Sequence, residues 1–326
     1  MAATTPYKKI ILTADDYGAI DFIDTGILNA LSDRNINCVS AFVCFYDSKK
    51  RMETLVQKQN EVKADHKVGI GLHFSLTTGE PITRSDATGL VSHNGRFLSP
   101  RKYPFKRVTK AIGQFEAELR AQIELLGRWL GGVENIDHIS NHHGVVYVDD
   151  DLFKVYARVV AEYKIPMRSP LVWSKAKLPF INAYPILTPP GMRPFNPLTR
   201  YGIRELQWVW EVFEAVNYRR RVRIAEQLSI PTPFCNNDCI YGLAFKENIE
   251  RMLDQYVDRD MATEFMFHLG EADLPEGHHY DKISAPEGID NRYFPTRKEE
   301  SDLLRNMPLK DVLKARSIDP IVYRDL

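Results

Sequence analysis

Charge of one sign is missing from this 326-residue chain: 43 Lys and Arg balance 43 Asp and Glu, so the formal net charge is zero. Bulk attraction to a phosphate backbone is thereby excluded, and no nucleic-acid partner is expected. Cysteine is scarce, with Cys38, Cys44, Cys235 and Cys239 alone, too few at this length for a disulfide framework. The last two have a spacing that invites a metal reading, but zinc sites usually need a second Cys or Cys/His pair and none flanks this one. All four read as structural thiols. No run of about 18 uncharged apolar residues occurs, and Met1 to Lys9 holds no apolar stretch of signal-peptide length. A soluble, cytoplasmic protein without a membrane partner is therefore expected. With 18 glycines, 19 prolines, 44% hydrophobic and 26% charged residues, the composition excludes disorder and collagen-like repeats and fits an ordinary globular protein.

What the chain does contain is alternation. Lys8 to Ala14 is a short apolar, partly β-branched run that ends in Asp15-Asp16-Tyr17-Gly18, the pattern of a buried strand leading into a functional loop. Ile20, Ile23, Ile27, Leu28 and Leu31 then recur at helical spacing up to Asn35. The same reading predicts a strand over Ile36 to Phe45, a helix over Ser48 to Lys63, a strand over Val68 to Phe74 and a long polar loop over Thr77 to Phe105. Lys106 to Leu130 is an amphipathic helix closed by Gly131-Gly132, Asn135 to Val148 a strand with its loop, Leu152 to Tyr163 a helix and Ile165 to Ser169 a short strand. After a proline-rich excursion over Pro170 to Thr199 come a helix (Arg204 to Leu228), a strand (Thr232 to Ile240), a helix (Phe245 to Val257) and a strong strand (Ala262 to Leu269). A second polar loop, Glu271 to Pro295, precedes a final helix and the closing segment Pro320-Ile321-Val322-Tyr323. About seven strand-like segments, mostly separated by helices and without a break in composition, predict a single α/β barrel-like domain over residues 1–326.

In such a fold the site lies at the carboxyl ends of the strands, so polar residues interrupting an apolar strand at its far end are the candidates. They are Asp15-Asp16 after the first strand, His73 on the third, His138, His142 and His143 on the fourth, and His268 on the late strand before Gly270. Each alone has an ordinary reading: a single His after a strand is usually structural, and Asp16 suits the cap of the following helix. Together they converge, because carboxylate and imidazole ligands from separate strand ends assemble a catalytic Zn2+ or related divalent site. If one of two adjacent carboxylates binds the metal, its neighbour can take a proton from water, its basicity tuned by a nearby cation. Arg168, at the end of the fifth strand, suits that cation and equally a surface ion pair.

At these residues the sequence resembles the YdjC family of carbohydrate deacetylases, which includes chitooligosaccharide deacetylases. Thr13-Ala14-Asp15-Asp16-Tyr17-Gly18 resembles the family's opening A-D-D-[FY]-G, and Gly71-Leu72-His73-Phe74-Ser75-Leu76-Thr77 its G-L-H-x-x-L-T, followed in register by Gly79-Glu80-Pro81-Ile82. Leu90 to Phe97 sits at a similar S-L-V-x-x-x-G-x-F segment, Arg168-Ser169-Pro170 at R-x-P, and Met266-Phe267-His268-Leu269-Gly270 at M-x-H-P-G. The motifs span nearly the whole chain in the family's order.

The resemblance implies a distorted (β/α) barrel, hydrolysis of an N-acetyl group on a small carbohydrate substrate, and one divalent metal ion, Zn2+ or Mg2+, held by one Asp and two His. Carried over by position, Asp16, His73 and His142 are the ligands, Asp15 the general base, Arg168 the cation that keeps it ionised, and His268 the general acid or oxyanion partner. His143 and His138 are the alternative third ligands. The family's fourth-strand motif reads approximately H-x-D-S-H-x-H-x-H, whereas here Ser140 replaces the Asp, and Gly144 and Val146 fall where two later His would be. These departures motivate hydrolysis of another amide, ester or phosphoester as an alternative; an inactive sugar-binding homologue is a further one, against which the retention of both Asp15 and Asp16 argues. Trp173 and Tyr103 suit stacking on sugar rings or packing of their loops, at least one of Trp208 and Trp210 is read as core, and a homodimer is compatible with the resemblance.

Overall fold

The computed structural model describes residues 8–98, 105–147, 149–171, 217, 219–237, 246–257, 261–275, 278–307 and 309–326. In chain order the elements are β1 (Lys8–Tyr17), α1 (Asp21–Ser32), β2 (Cys38–Ala41), α2 (Ser48–Val62), β3 (Gly69–Phe74), α3 (Phe105–Lys110), α4 (Ile112–Leu130), β4 (Ile139–Asn141) and α5 (Asp150–Glu162). They continue with β5 (Cys235–Asn237), α6 (Lys246–Tyr256), β6 (Thr263–Phe267), α7 (Phe294–Asn306), α8 (Leu309–Ala315) and β7 (Ile318–Pro320). Every strand pair is parallel, in the order β4-β3-β2-β1-β6-β5, with β7 paired to the start of β1.

The apolar runs become strands covered on both faces, as parallel sheets require. All four residues of β2 and all six of β3 are buried. Outside the sheet, Phe74 meets Phe115 of α4 edge-on at 5.8 Å and lies 6.2 Å from Tyr156 of α5, each aromatic contributing roughly 1.5–3 kcal/mol by burial. The sheet curls until its edges are bridged by residues 166–171. Arg168 N donates to Ile139 O beside β4, while Met167 N donates to Pro231 O and Asn236 N to Leu171 O on the β5 side, each at 2.9 Å. The seven-stranded distorted barrel expected from the sequence is thus present.

Local differences have local causes. The segment 165–169 forms an isolated bridge, Met167 to Ile139, instead of a strand, because Pro166 and Pro170 withhold donors on either side. β2 stops at Ala41, where the expected strand ran to Phe45, and residues 42–47 fold over the strand ends as a loop. The helix expected over 106–130 is broken at Ala111, whose backbone leaves the helical region. Within the loop over 77–105, Val91 and Phe97 form an antiparallel bridge. Tyr103, Trp173, Trp208, Trp210 and Cys239 lie outside the described residues.

Candidate metal centre and active site

The first strand delivers two consecutive carboxylates that point apart. Asp16 has φ of 73°, a left-handed conformation, and the β1/β2 register slips between Ala14 and Tyr17. A non-glycine residue held there stores strain, which clusters at functional sites. It does not cap the following helix, as one reading of the sequence allowed: the α1 cap position is Ile20, without a side-chain bond. Asp16 turns instead toward His73, at the end of β3, and His142, just past β4.

Three ligand-type atoms meet there. Asp16 Oδ1 lies 3.2 Å from His73 Nε2 and 3.1 Å from His142 Nδ1, and the two nitrogens are 3.2 Å apart. All three residues are buried, and Asp16 Oδ1 makes no well-formed hydrogen bond. An ion about 2.0–2.2 Å from each of three such ligands spreads them to edges of about 3.0–3.5 Å, so the triangle fits a divalent ion. His73 Nδ1 pairs with Ser140 Oγ at 2.7 Å, which fixes the ring and turns Nε2 inward, as outer partners of metal-ligating histidines do. Phe42 closes one wall, edge-on to His73 at 4.9 Å and to His142 at 5.0 Å. Burial pulls His142 below its ordinary range against the opposing pull of Asp16, leaving the neutral imidazole a metal needs.

Asp15 faces the other way. Its two oxygens accept from Arg168 Nη1 at 2.6 Å and Nη2 at 2.8 Å, a bidentate buried pair in place of a surface one. Burial alone would raise the Asp15 carboxyl, but the Arg168 charge outweighs it and holds the group well below the usual carboxylate range. The far side of Arg168 is gripped by Glu264 of β6, with Nε 3.0 Å from both carboxylate oxygens and Nη2 2.7 Å from Oε1. Asp16 is lowered likewise: burial opposes, and Arg297 of α7, which donates to Asp16 Oδ2, prevails with His142.

His268 follows β6 and is half-buried. Its backbone N–H donates to Glu300 Oε2 at 2.8 Å, and burial, then Arg297, push its imidazole down to about 4. The resting ring is therefore neutral near pH 7. Glu300 is fully buried and pushed up to about 8 by burial. A Cβ on Gly270, two residues on, would run into the Phe22 ring of α1, a close approach that explains the glycine in that motif.

The sequence profile of the YdjC-like protein family matches residues 9–315. The chain belongs to the YdjC-like family. Among its relatives, a carbohydrate deacetylase of Brevibacillus brevis is 28% identical over 162 residues, covering 50% of this chain and 59% of that protein. One of Clostridium beijerinckii is 31% identical over 160 residues, covering 49% and 59%. A human carbohydrate deacetylase is 28% identical over 161 residues, covering 46% and 47%. The matched stretch thus spans under two thirds of these relatives' length. A crystal structure from Enterococcus faecalis V583, of a protein for which cellobiose-phosphate cleavage has been proposed, superposes with a TM-score of 0.65 at 20% identity over 98% of both chains, a likeness of fold.

Against the YdjC pattern, the residues named from the sequence divide cleanly. Asp15, Asp16, His73, His142 and Arg168 come together. His268 lies close enough for Asp16, Asp15 and His73 to act on its charge. The His143 ring lies against His142, centroids 3.7 Å apart and tilted by 41°, but turns Nδ1 to Thr77 Oγ1 at 2.8 Å. His138 is spent elsewhere: its ring pairs with Asp137 at 3.0 Å and Ser40 at 2.9 Å at the opposite end of the sheet, and a Cβ on Gly71 would strike it. Cys38 and Cys44 are free and buried, as structural thiols are, and Cys235 is likewise buried. Sequence reasoning missed Glu264, Arg297 and Glu300. Their signal was charge in apolar places: Glu264 interrupts a buried strand, and Arg297 and Glu300 share a helical spacing with Leu304. No helix among the described residues is long and apolar enough to cross a membrane.

Proposed function

We propose that this YdjC-like protein is a metal-dependent carbohydrate deacetylase that removes an N-acetyl group from an amino sugar or short oligosaccharide. The observation that carries the reading is the divergence at the end of β1. Asp16 joins two histidines in a ligand triangle while Asp15, clamped by Arg168, keeps Oδ2 4.0 Å from His73 Nε2. A divalent ion, Zn2+ or Mg2+, held by Asp16, His73 and His142 supplies carbonyl polarisation and a water of lowered pKa. Asp15, kept ionised by Arg168, accepts a proton from the attacking water as its oxygen bonds to the acetyl carbon. The proton gained by Asp15 is relayed by His268, neutral at rest, to the departing amine nitrogen as the C–N bond breaks, and the His268 N–H faces the developing charge. Acetate and a free amine leave, and both side chains regain their starting protonation. The family and the names of the relatives support a sugar substrate.

The test is acetate release from N-acetylated mono- and oligosaccharides by native, chelated and metal-reloaded protein. Release is expected to require the metal and to fall about 10²–10⁴-fold in Asp15→Asn with the metal retained. No release from any sugar, with one equivalent of metal bound, would falsify the deacetylase reading. A second reading, cleavage of another amide, ester or phosphoester at the same centre, is favoured by Ser140, Gly144 and Val146 in place of an Asp and two His. Acetate or phosphate released from non-sugar substrates alone identifies it.

A further inference from the structure

Helix α7 turns a mixed face toward the barrel. Phe294, Arg297, Glu300, Ser301 and Leu304 recur at helical spacing and are all buried, yet the middle three are polar. A guanidinium, a carboxyl and a hydroxyl buried side by side contribute less to packing than apolar side chains of similar volume would. What the polar atoms add is direction, so their partners are informative.

Each of the three grips a strand end beside the metal centre. The β1/β6 ladder ends at Ala14 and Phe267, just before Asp16 leaves the extended region with φ of 73°. Beyond that pair the amides of the β6 strand are received by α7: His268 N donates to Glu300 Oε2 at 2.8 Å and Gly270 N to Ser301 Oγ at 3.0 Å. On the β1 side, Arg297 Nη2 donates to Asp16 Oδ2. Little more than one turn of helix therefore holds both the ligand carboxylate and the backbone that carries the His268 ring. The helix is itself fixed, because Phe294 stacks on Phe22 of α1 with ring centroids 4.6 Å apart. The segment after His268 is pressed against α1 as well: Glu271 N donates to Phe22 O at 2.7 Å, and a Cβ on Gly26 would run into the Gly270 backbone.

We propose that Glu300 and Ser301 are positioning residues for His268, fixing the backbone of residues 268–270 so that the ring keeps its place relative to Asp16, which Arg297 of the same helix holds. The inference rests on the deacetylase reading, in which His268 serves the departing amine, but placement is also readable without catalysis, from exchange of the backbone amides. Glu300→Leu and Ser301→Ala remove the two acceptors one at a time. Glu300→Gln keeps a carbonyl acceptor, and because burial pushes the Glu300 carboxyl up to about 8, it reproduces the neutral acid that predominates at pH 7. Leu304→Ala, one turn on in the same buried face, is the control for a merely structural role.

In metal-loaded protein the amides of residues 268–270 are expected to exchange about 10-fold faster in Glu300→Leu and in Ser301→Ala, and at the native rate in Glu300→Gln. On an N-acetylated sugar, kcat should fall about 10²-fold in Glu300→Leu and less in Ser301→Ala, with KM and metal content unchanged. Glu300→Gln should retain the native kcat, and Leu304→Ala should lower the thermal midpoint without moving kcat. Native exchange in the acceptor-less variants, or a kcat loss in Leu304→Ala as large as in Glu300→Leu, overturns the proposal. Ser301→Ala decides it alone should Glu300→Leu not fold. The two readings fail differently: acetate released at native kcat by Glu300→Leu and Ser301→Ala leaves the deacetylase and removes the positioning role. Faster exchange in those variants, in a protein that releases no acetate from any sugar, supports the grip of α7 on residues 268–270 and removes the deacetylase.

Discussion

At the carboxyl ends of the strands, Asp16, His73 and His142 are gathered in the barrel; at the amino ends, Cys38, Asp137 and His138 are gathered just as tightly, and both trios are buried. Their residue types would serve a metal equally well. Their partners differ. At the amino end, Asp137 accepts from His138 Nδ1 at 3.0 Å, Tyr323 N at 3.3 Å and Arg324 N at 3.1 Å, Cys38 donates to it at 3.6 Å, and Ser40 takes the other His138 nitrogen. Burial, then the Asp137 charge, push the Cys38 thiol well up, away from the thiolate a metal binds. At the carboxyl end, Asp16 Oδ1, His142 Nε2 and Glu300 Oε1 are buried without a well-formed hydrogen bond. Buried polar groups ordinarily find partners, so the amino-end trio is a finished clamp on the closing segment. The carboxyl-end trio keeps the geometry of a candidate metal site.

The largest effect expected from this contrast is on metal content. On the proposed reading, Asp16→Ala or His73→Ala should abolish stoichiometric divalent metal after dialysis and lower the proposed deacetylation on the order of 10³-fold, comparable to loss of a principal oxyanion stabiliser. Cys38→Ser and His138→Gln should keep the full equivalent. Elemental analysis decides it, and zinc lost from folded His138→Gln protein would move the metal to the other end of the barrel.

Next in size is stability at the amino end. Asp137→Ala strands two backbone N–H groups and the His138 ring, each costing about 1–3 kcal/mol when buried unpaired. A loss of about 3 kcal/mol or more in denaturant unfolding is expected, with unchanged zinc content. Unaltered stability would show that the network is not the clamp its geometry describes.

How much of this was readable beforehand follows from the physics of each residue. Asp15, Asp16, His73 and His142 interrupt apolar strands at one end, so the alternation that predicts the barrel also predicts their convergence. Arg168 was visible as a cation, but whether it met solvent or Asp15 depends on the bridge at Met167, a long-range pairing. Arg297 and Glu300 sit on a helix whose register toward the site is set by the packing of α7 on α1. His138 and His142 read alike in sequence because a step of four residues crosses the sheet from amino to carboxyl end, which only the position of β4 reveals.

The two ends should also differ in how stability follows pH. Glu300 is raised by burial from 4.5 to about 8. Its contribution is complete below pH 4.5, where folded and unfolded chains are both protonated, and is lost as pH rises from there through about 8. Asp137 is lowered, its bond from His138 overcoming burial, so its contribution is present above 3.8 and lost as the solution turns more acid. Glu300→Gln should flatten the decline in thermal midpoint toward pH 8, and Asp137→Asn should leave that decline in place. A decline that persists in Glu300→Gln assigns it to another group.

The smallest effect expected is the most specific to this chain. Ser140 stands where the YdjC pattern has an acid, and its hydroxyl at 2.7 Å is the partner that orients His73. A neutral hydroxyl fixes the ring's tautomer as a carboxylate would, but it adds less electron density to the ligand nitrogen. Ser140→Ala should therefore weaken Zn2+ about 10-fold, the lower end of what such outer partners contribute, in competition with a chelator of known affinity. Ser140→Asp should bind at least as tightly as the native protein. Loss of affinity in Ser140→Asp would mean that the pocket behind His73 has been reshaped around the smaller side chain. No change in Ser140→Ala would mean that burial against Phe42 alone is enough to hold the ring.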